Sequence, residues 1–95
     1  MSDIITAAVA ALSEKLTGGF DSVAKFTING EGSLVIDADG VRAGDDDAEV
    51  TLTADSDVFQ DILSGDLNPT TAFMTGKLAV DGDMGVAMKL GAVLS

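Results

Sequence analysis

GDLNPTTAFMTGKLAVDGDMGVAMKLGAVL, residues 65–94, compresses two helix starts, a short strand and an almost wholly apolar last helix into about a third of the chain. Asn68 followed by Pro69 reads as an N-cap with proline at the first helical position, where a missing N–H costs nothing. Gly76 stops that short helix, because glycine takes up the left-handed turn that satisfies the final carbonyls. Residues 77–81 alternate, with Leu78 and Val80 on one face, as a strand requires. Asp83 caps the last helix, and from there to Leu94 the only charged residue is Lys89. A helix of that composition is expected to be buried nearly all round. A chain of 95 residues has little interior in which to bury it. The conflict points to a fold arranged around an apolar cavity.

Upstream, Ser2 is placed to cap a helix over residues 3–17, with Ile4, Ile5, Ala8, Val9, Leu12 and Leu16 in one stripe. Gly18-Gly19 ends it. From Phe20 the period changes to two. Phe20, Ala24, Phe26 and Ile28 share one face, and Lys25, Thr27 and Asn29 the other. Asn29-Gly30 is a hairpin signal. A second strand follows, with Leu34 and Ile36 inward and Asp37 outward, and Asp39-Gly40 turns the chain into a third strand from residue 41. Asp45-Asp46-Asp47 is expected as an exposed loop or hairpin tip. Residues 48–54 resume the alternation with Val50 and Leu52 inward. Ser56 is placed to cap a second helix over residues 57–64, with Val58, Phe59, Ile62 and Leu63 as its stripe and Gly65 as its stop. The fold class is α+β: a largely antiparallel five-stranded sheet covered by helices on one face. Residues 1–95 are expected to form a single domain.

The hydrophobic fraction, 46%, suffices for a packed core. No apolar run reaches the ~18 residues of a membrane span, so stable membrane insertion is not expected. Residues 4–12 are apolar, but acidic Asp3 precedes them and no basic segment does, unlike a signal peptide. Residues 92–95, AVLS, are not a peroxisomal address, and the expected compartment is cytoplasmic. The absence of cysteine excludes disulfides and thiolate metal sites. Sixteen acidic and five basic residues give a formal charge of −11. Nucleic-acid binding needs a basic patch to neutralise phosphates, and Lys15, Lys25, Arg42, Lys77 and Lys89 lie singly. The same charge opposes anionic membrane surfaces. An acidic shell of this kind keeps an apolar-rich protein in solution.

The chain has no His, Tyr, Trp or Cys. Acid–base catalysis near neutral pH most often uses His, and the carboxylates here fall at turns, caps and outward strand positions. No catalytic residue is therefore expected. Asp37, Asp39 and Gly40 do not make a calcium loop: with Gly40 as its sixth residue, Val35 takes the first ligand position and Asp46 the twelfth. Gly76-Lys77-Leu78 fails as a phosphate loop at its third position. No metal and no cofactor is expected. Phe73, Met74, Met84 and Met88 remain, the last two one helical turn apart. Such a stripe is either core or the wall of an apolar site, for which the flexible thioether is suited.

The run G-D-L-x-P-x-x-A-F-M-x-G-K-L-x-V-x-G-D-M-x-x-A-M-K-L, from Gly65 to Leu90, resembles the signature of the sterol carrier protein 2 family of small lipid-binding domains. The resemblance is strong over residues 55–94 and one of layout before that. It implies that sheet and helices enclose an apolar tunnel, with the last helix in its wall. The lining it implies is Phe26, Ile36, Phe73, Met74, Leu78, Val80, Met84, Ala87, Met88 and Leu90. The implied ligand is a fatty acid, acyl-CoA, sterol or isoprenoid. Lys77 or Lys89 is placed to meet a lipid carboxylate, or to lie solvated. The implied role is lipid binding and carriage without catalysis, or presentation of a lipid to a partner enzyme, since domains of this family also occur joined to enzymes. A pocket of ~300 Å³, at about 24 cal/mol per Å³ of empty volume, would cost ~7 kcal/mol. That is a large part of the ~5–15 kcal/mol that stabilises a domain. The site is therefore expected to be plastic when empty.

Overall fold

A computed structural model describes residues 3–94. The cap expected from Ser2 lies outside them. The described residues form α1 (Asp3–Lys15), β1 (Ala24–Ile28), β2 (Gly32–Asp37), β3 (Gly40–Ala43), β4 (Val50–Ala54), α2 (Ser56–Ser64), α3 (Pro69–Met74), β5 (Leu78–Gly82) and α4 (Met84–Leu94). The class is α+β, as the patterning requires. The strands make one sheet in the order β3-β2-β1-β4-β5. Three of its pairings are antiparallel; β1 and β4 are parallel, with Phe26 beside Leu52.

The parallel pair corrects one expectation. Asp45-Asp46-Asp47 is an exposed loop but not a hairpin tip. Since β3 runs with β1 and β1 with β4, β3 and β4 point the same way. The chain must then return along the sheet before β4 can begin. It does so across the outer face. Lys25 and Arg42 stand on that face, and they hold the crossing loop through Asp45 at 2.7 Å and Asp46 at 3.1 Å. Val35 lies between them in register and is fully buried there. The loop ends where Glu49 exchanges bonds with Val23: N–H to carbonyl at 2.9 Å, and carboxylate from the Val23 N–H at 2.8 Å. Gly82 of β5 passes so close that a Cβ would stand 2.5 Å from the Glu49 carbonyl oxygen, at φ +120°. Only glycine fits that approach.

The inner face carries the core. Ala24, Phe26, Ile28, Leu34, Ile36, Val50, Leu52, Ala54 and Leu78 point to it, as the alternation predicts. α1 closes its β2–β3 side with Ile5, Ala8 and Leu12. α4 lies over β1, β4 and β5. α2 sends Phe59 and Ile62 inward, and the Phe59 ring meets Phe26 edge-on with centroids 4.4 Å apart. The N-cap of α2 is Asp55 rather than Ser56. Its carboxylate accepts a bond from the Asn29 side chain at 2.9 Å, so it ties the first hairpin to the helix instead of serving the helix's own N–H groups.

Candidate functional site

Three consecutive elements build the site, and each is set by a local signal. The Asn68 side-chain oxygen accepts the Thr70 and Thr71 N–H groups at 2.8 and 3.3 Å and so starts α3. After Met74 the chain turns through Gly76 at φ +80°, and the Lys77 N–H returns to the Ala72 carbonyl at 2.9 Å. That tight return delivers β5 antiparallel to β4, with Leu78 opposite Ala54 and Val80 opposite Leu52. The Asp83 carboxylate then caps α4 by accepting from Gly85 and Val86 at 2.8 and 3.2 Å. α4 runs back over the sheet. Its Val86 and Leu90 side chains are buried, while Met84 and Met88 turn the other way.

Between α3, β5, α4 and the sheet lies a cavity of about 270 Å³. Its lining contains Phe26, Phe73, Met74, Leu78, Val80, Met84, Ala87 and Met88, all indicated by the sequence. Ile36 and Leu90 are not in it. Ile36 pairs with Val41 of the edge strand β3, on the α1 side of the sheet, and both residues are fully buried core. The cavity adds Leu52, Ile62, Pro69, Thr70, Gly91 and Leu94. Gly91 and Leu94 continue the Met84–Ala87–Met88 stripe at helical spacing, so their signal was present in the sequence. Leu52 and Ile62 required the β1–β4 pairing and the placement of α2.

The last helix is not buried nearly all round. Met88 is 73% exposed and Met84 45%, with Met74 at 79% and Phe73 at 42%. These four side chains rim an open mouth, while Phe26, Leu52, Ile62, Leu78 and Leu94 form a buried floor. The helix resolves its apolar excess by giving one side to the core and another to the cavity. Among the described lining residues none is charged, and Thr70 is the only one with a polar side chain. Neither Lys77 nor Lys89 lines the wall, and Lys89 reaches Asp21 at 3.4 Å. A wider depression between α1 and α2, about 420 Å³, is lined by Ile4, Phe59, Leu63 and alanines together with Asp3, Gln60 and Ser64, so its wall, unlike that of the first cavity, carries a charged side chain. Among the described residues, no helix is long and apolar enough to cross a membrane.

This arrangement can hold a long apolar group by burial. Comparison with known proteins agrees with it. The family model of the SCP-2 sterol transfer family matches residues 4–95. The chain is 35% identical over 92 residues to the hydroxysteroid dehydrogenase-like protein 2 of Xenopus laevis, covering 88% of this chain and 22% of that protein. It is 46% identical over 66 residues to the peroxisomal multifunctional enzyme A of Dictyostelium discoideum, covering 70% and 14%. The chain thus spans only a small part of these curated relatives. Among solved structures it is similar to the Aedes aegypti sterol carrier protein-2 in complex with the C16 fatty acid palmitate. That likeness has a TM-score of 0.79 at 26% identity and covers 100% of this chain and 97% of the other.

Proposed function

Because the chain belongs to the SCP-2 sterol transfer family, we propose that it is a lipid-binding and carrier protein that shelters a fatty acyl chain, sterol or similar long apolar ligand. The observation that carries this reading is the cavity of about 270 Å³ with a buried apolar floor, an exposed methionine rim and no charged lining side chain. Phe26, Leu52, Phe73, Leu78, Val80, Met84, Ala87 and Met88 are the proposed contact residues. Burial supplies the driving force: ~10 methylenes at about 0.8 kcal/mol each give ~8 kcal/mol before association costs are subtracted. Because the gain grows with each methylene buried, selection by chain length more than by shape follows. The palmitate held by the Aedes aegypti relative is a ligand of this kind. The proposed role is non-enzymatic and cytoplasmic, performed by residues 1–95 as one domain. The test is titration of delipidated protein with a fluorescent long-chain lipid. Saturable micromolar binding, competed by long chains and not by short ones, is expected; its absence refutes the reading.

A second reading is favoured by the relatives in which the matched segment is a small part of an enzyme. The domain would present a lipid substrate to a partner enzyme rather than carry it freely. Affinity capture with loaded and delipidated protein separates the two, since only presentation requires an enzyme retained in a lipid-dependent way.

A further inference from the structure

We infer that the cavity selects lipids whose polar end is an uncharged hydroxyl, and that Thr70 is the residue that reads it. This rests on the lipid-holding reading and narrows it. Thr70 lines the cavity and is itself solvent-exposed, which puts it where the apolar wall meets water. A ligand buried by its chain leaves its polar end at that boundary. The Thr70 N–H is already given to Asn68, whereas the Thr70 hydroxyl has no hydrogen-bond partner among the described residues. It can donate to or accept from a ligand hydroxyl.

A carboxylate meets a different situation at the same place. No described lining residue is cationic. The nearest cations in sequence lie outside the wall: Lys89 reaches Asp21 at 3.4 Å, and Lys77 stands exposed before β5. Asp83 stands beside Met84 in sequence, and the chain as a whole carries a formal charge of −11. A carboxylate can only accept from the Thr70 hydroxyl; that bond is charge-assisted, but the anion gives up more hydration to make it and meets the repulsion of the acidic surface, which salt screens. An uncharged hydroxyl can donate to or accept from Thr70 with neither the repulsion nor the larger desolvation cost.

The experiment is competition of hexadecan-1-ol and palmitate, each against one neutral fluorescent long-chain probe. Delipidated wild-type protein and Thr70→Val are compared, at low and at high salt. Valine keeps the shape and removes the hydroxyl; unchanged thermal unfolding without ligand checks that it folds. The alcohol is expected to bind more tightly than palmitate at low salt, with the gap narrowing at high salt because palmitate alone improves. Thr70→Val is expected to weaken the alcohol about fivefold, the worth of one net hydrogen bond. The chain-buried probe should be unaffected. Palmitate binding as tightly as the alcohol at low salt overturns the selectivity, and an unchanged alcohol affinity in Thr70→Val overturns the role of Thr70. Failure of the probe itself to bind would instead refute the lipid-holding reading on which both rest.

Discussion

At Met88, stability and the proposed lipid contact can be separated. It is 73% exposed yet lines the cavity, so its surroundings in the empty protein are largely water. Met88→Asp should leave the thermal midpoint nearly unchanged, since exposed substitutions usually fall within ~0.5 kcal/mol. It should nevertheless lower affinity for a long-chain lipid at least tenfold by setting a charge on the rim. Met88→Leu, nearly conserving volume, should bind almost as the wild type does; parallel melting and titration read both quantities. On the opposite face of the sheet, the Arg42 guanidinium at 2.7 Å holds the Asp37 carboxyl below the usual carboxylate range. The Asp39 N–H adds to this, while desolvation opposes it. A lowered native pKa stabilises the fold above the ordinary carboxylate value, and that stabilisation is lost as pH falls through the lowered one. Asp37→Asn should therefore be less stable than wild type near neutral pH, with the two urea midpoints converging in strong acid. A constant gap across that range would sever Asp37 from the pH dependence.

At the scale of elements, α3 has six residues, too few to persist on propensity alone. It depends on Asn68, whose side chain satisfies two of its first N–H groups, and on the return of the Lys77 N–H to Ala72. Asn68→Ala should cost about 1 kcal/mol. Because α3 supplies Pro69, Thr70, Phe73 and Met74 to the cavity, lipid affinity should fall as well. Stability lost without any loss of affinity would mean that the wall forms independently of its cap. Local signals of this kind, Asn68-Pro69, Gly76 and Asp83, place α3, β5 and α4 from sequence because each is a short-range contact. The passage from β3 to β4 has no such signal. Asp45–Asp47 suits either a hairpin tip or a crossing loop, and the difference lies in Lys25, twenty residues away, and in Arg42.

For the whole molecule, the cavity couples ligand to stability. A wall with a solvent-open mouth costs less than a sealed void of the same size, but its apolar floor still lacks partners when empty. Ligand that binds only the native state raises stability by RT ln(1 + [L]/Kd), ~2.7 kcal/mol at a hundredfold excess. For about 100 residues each ~1 kcal/mol moves the midpoint by roughly 4–8 °C. Saturating long-chain alcohol should thus raise the melting temperature by on the order of 10 °C or more, and a short-chain alcohol hardly at all. Equal shifts from both chain lengths would assign the effect to the headgroup rather than to the cavity.

The amino-acid sequence by itself determined the helices and strands, their inward faces, and the caps of α3 and α4. Each of these is a matter of period or of contacts a few residues apart. The cavity wall was indicated only through the family resemblance. Tertiary structure alone decided that β4 lies beside β1 in parallel, which brings Leu52 next to Phe26. It likewise decided that Ile36 and Leu90 belong to the core while Met84 and Met88 stand at an open mouth. Periodicity reports that a side chain is apolar and on which side of its element it lies. Whether that side meets packed core or the wall of a cavity depends on how far apart two elements come to rest, and this is set by residues distant in the chain.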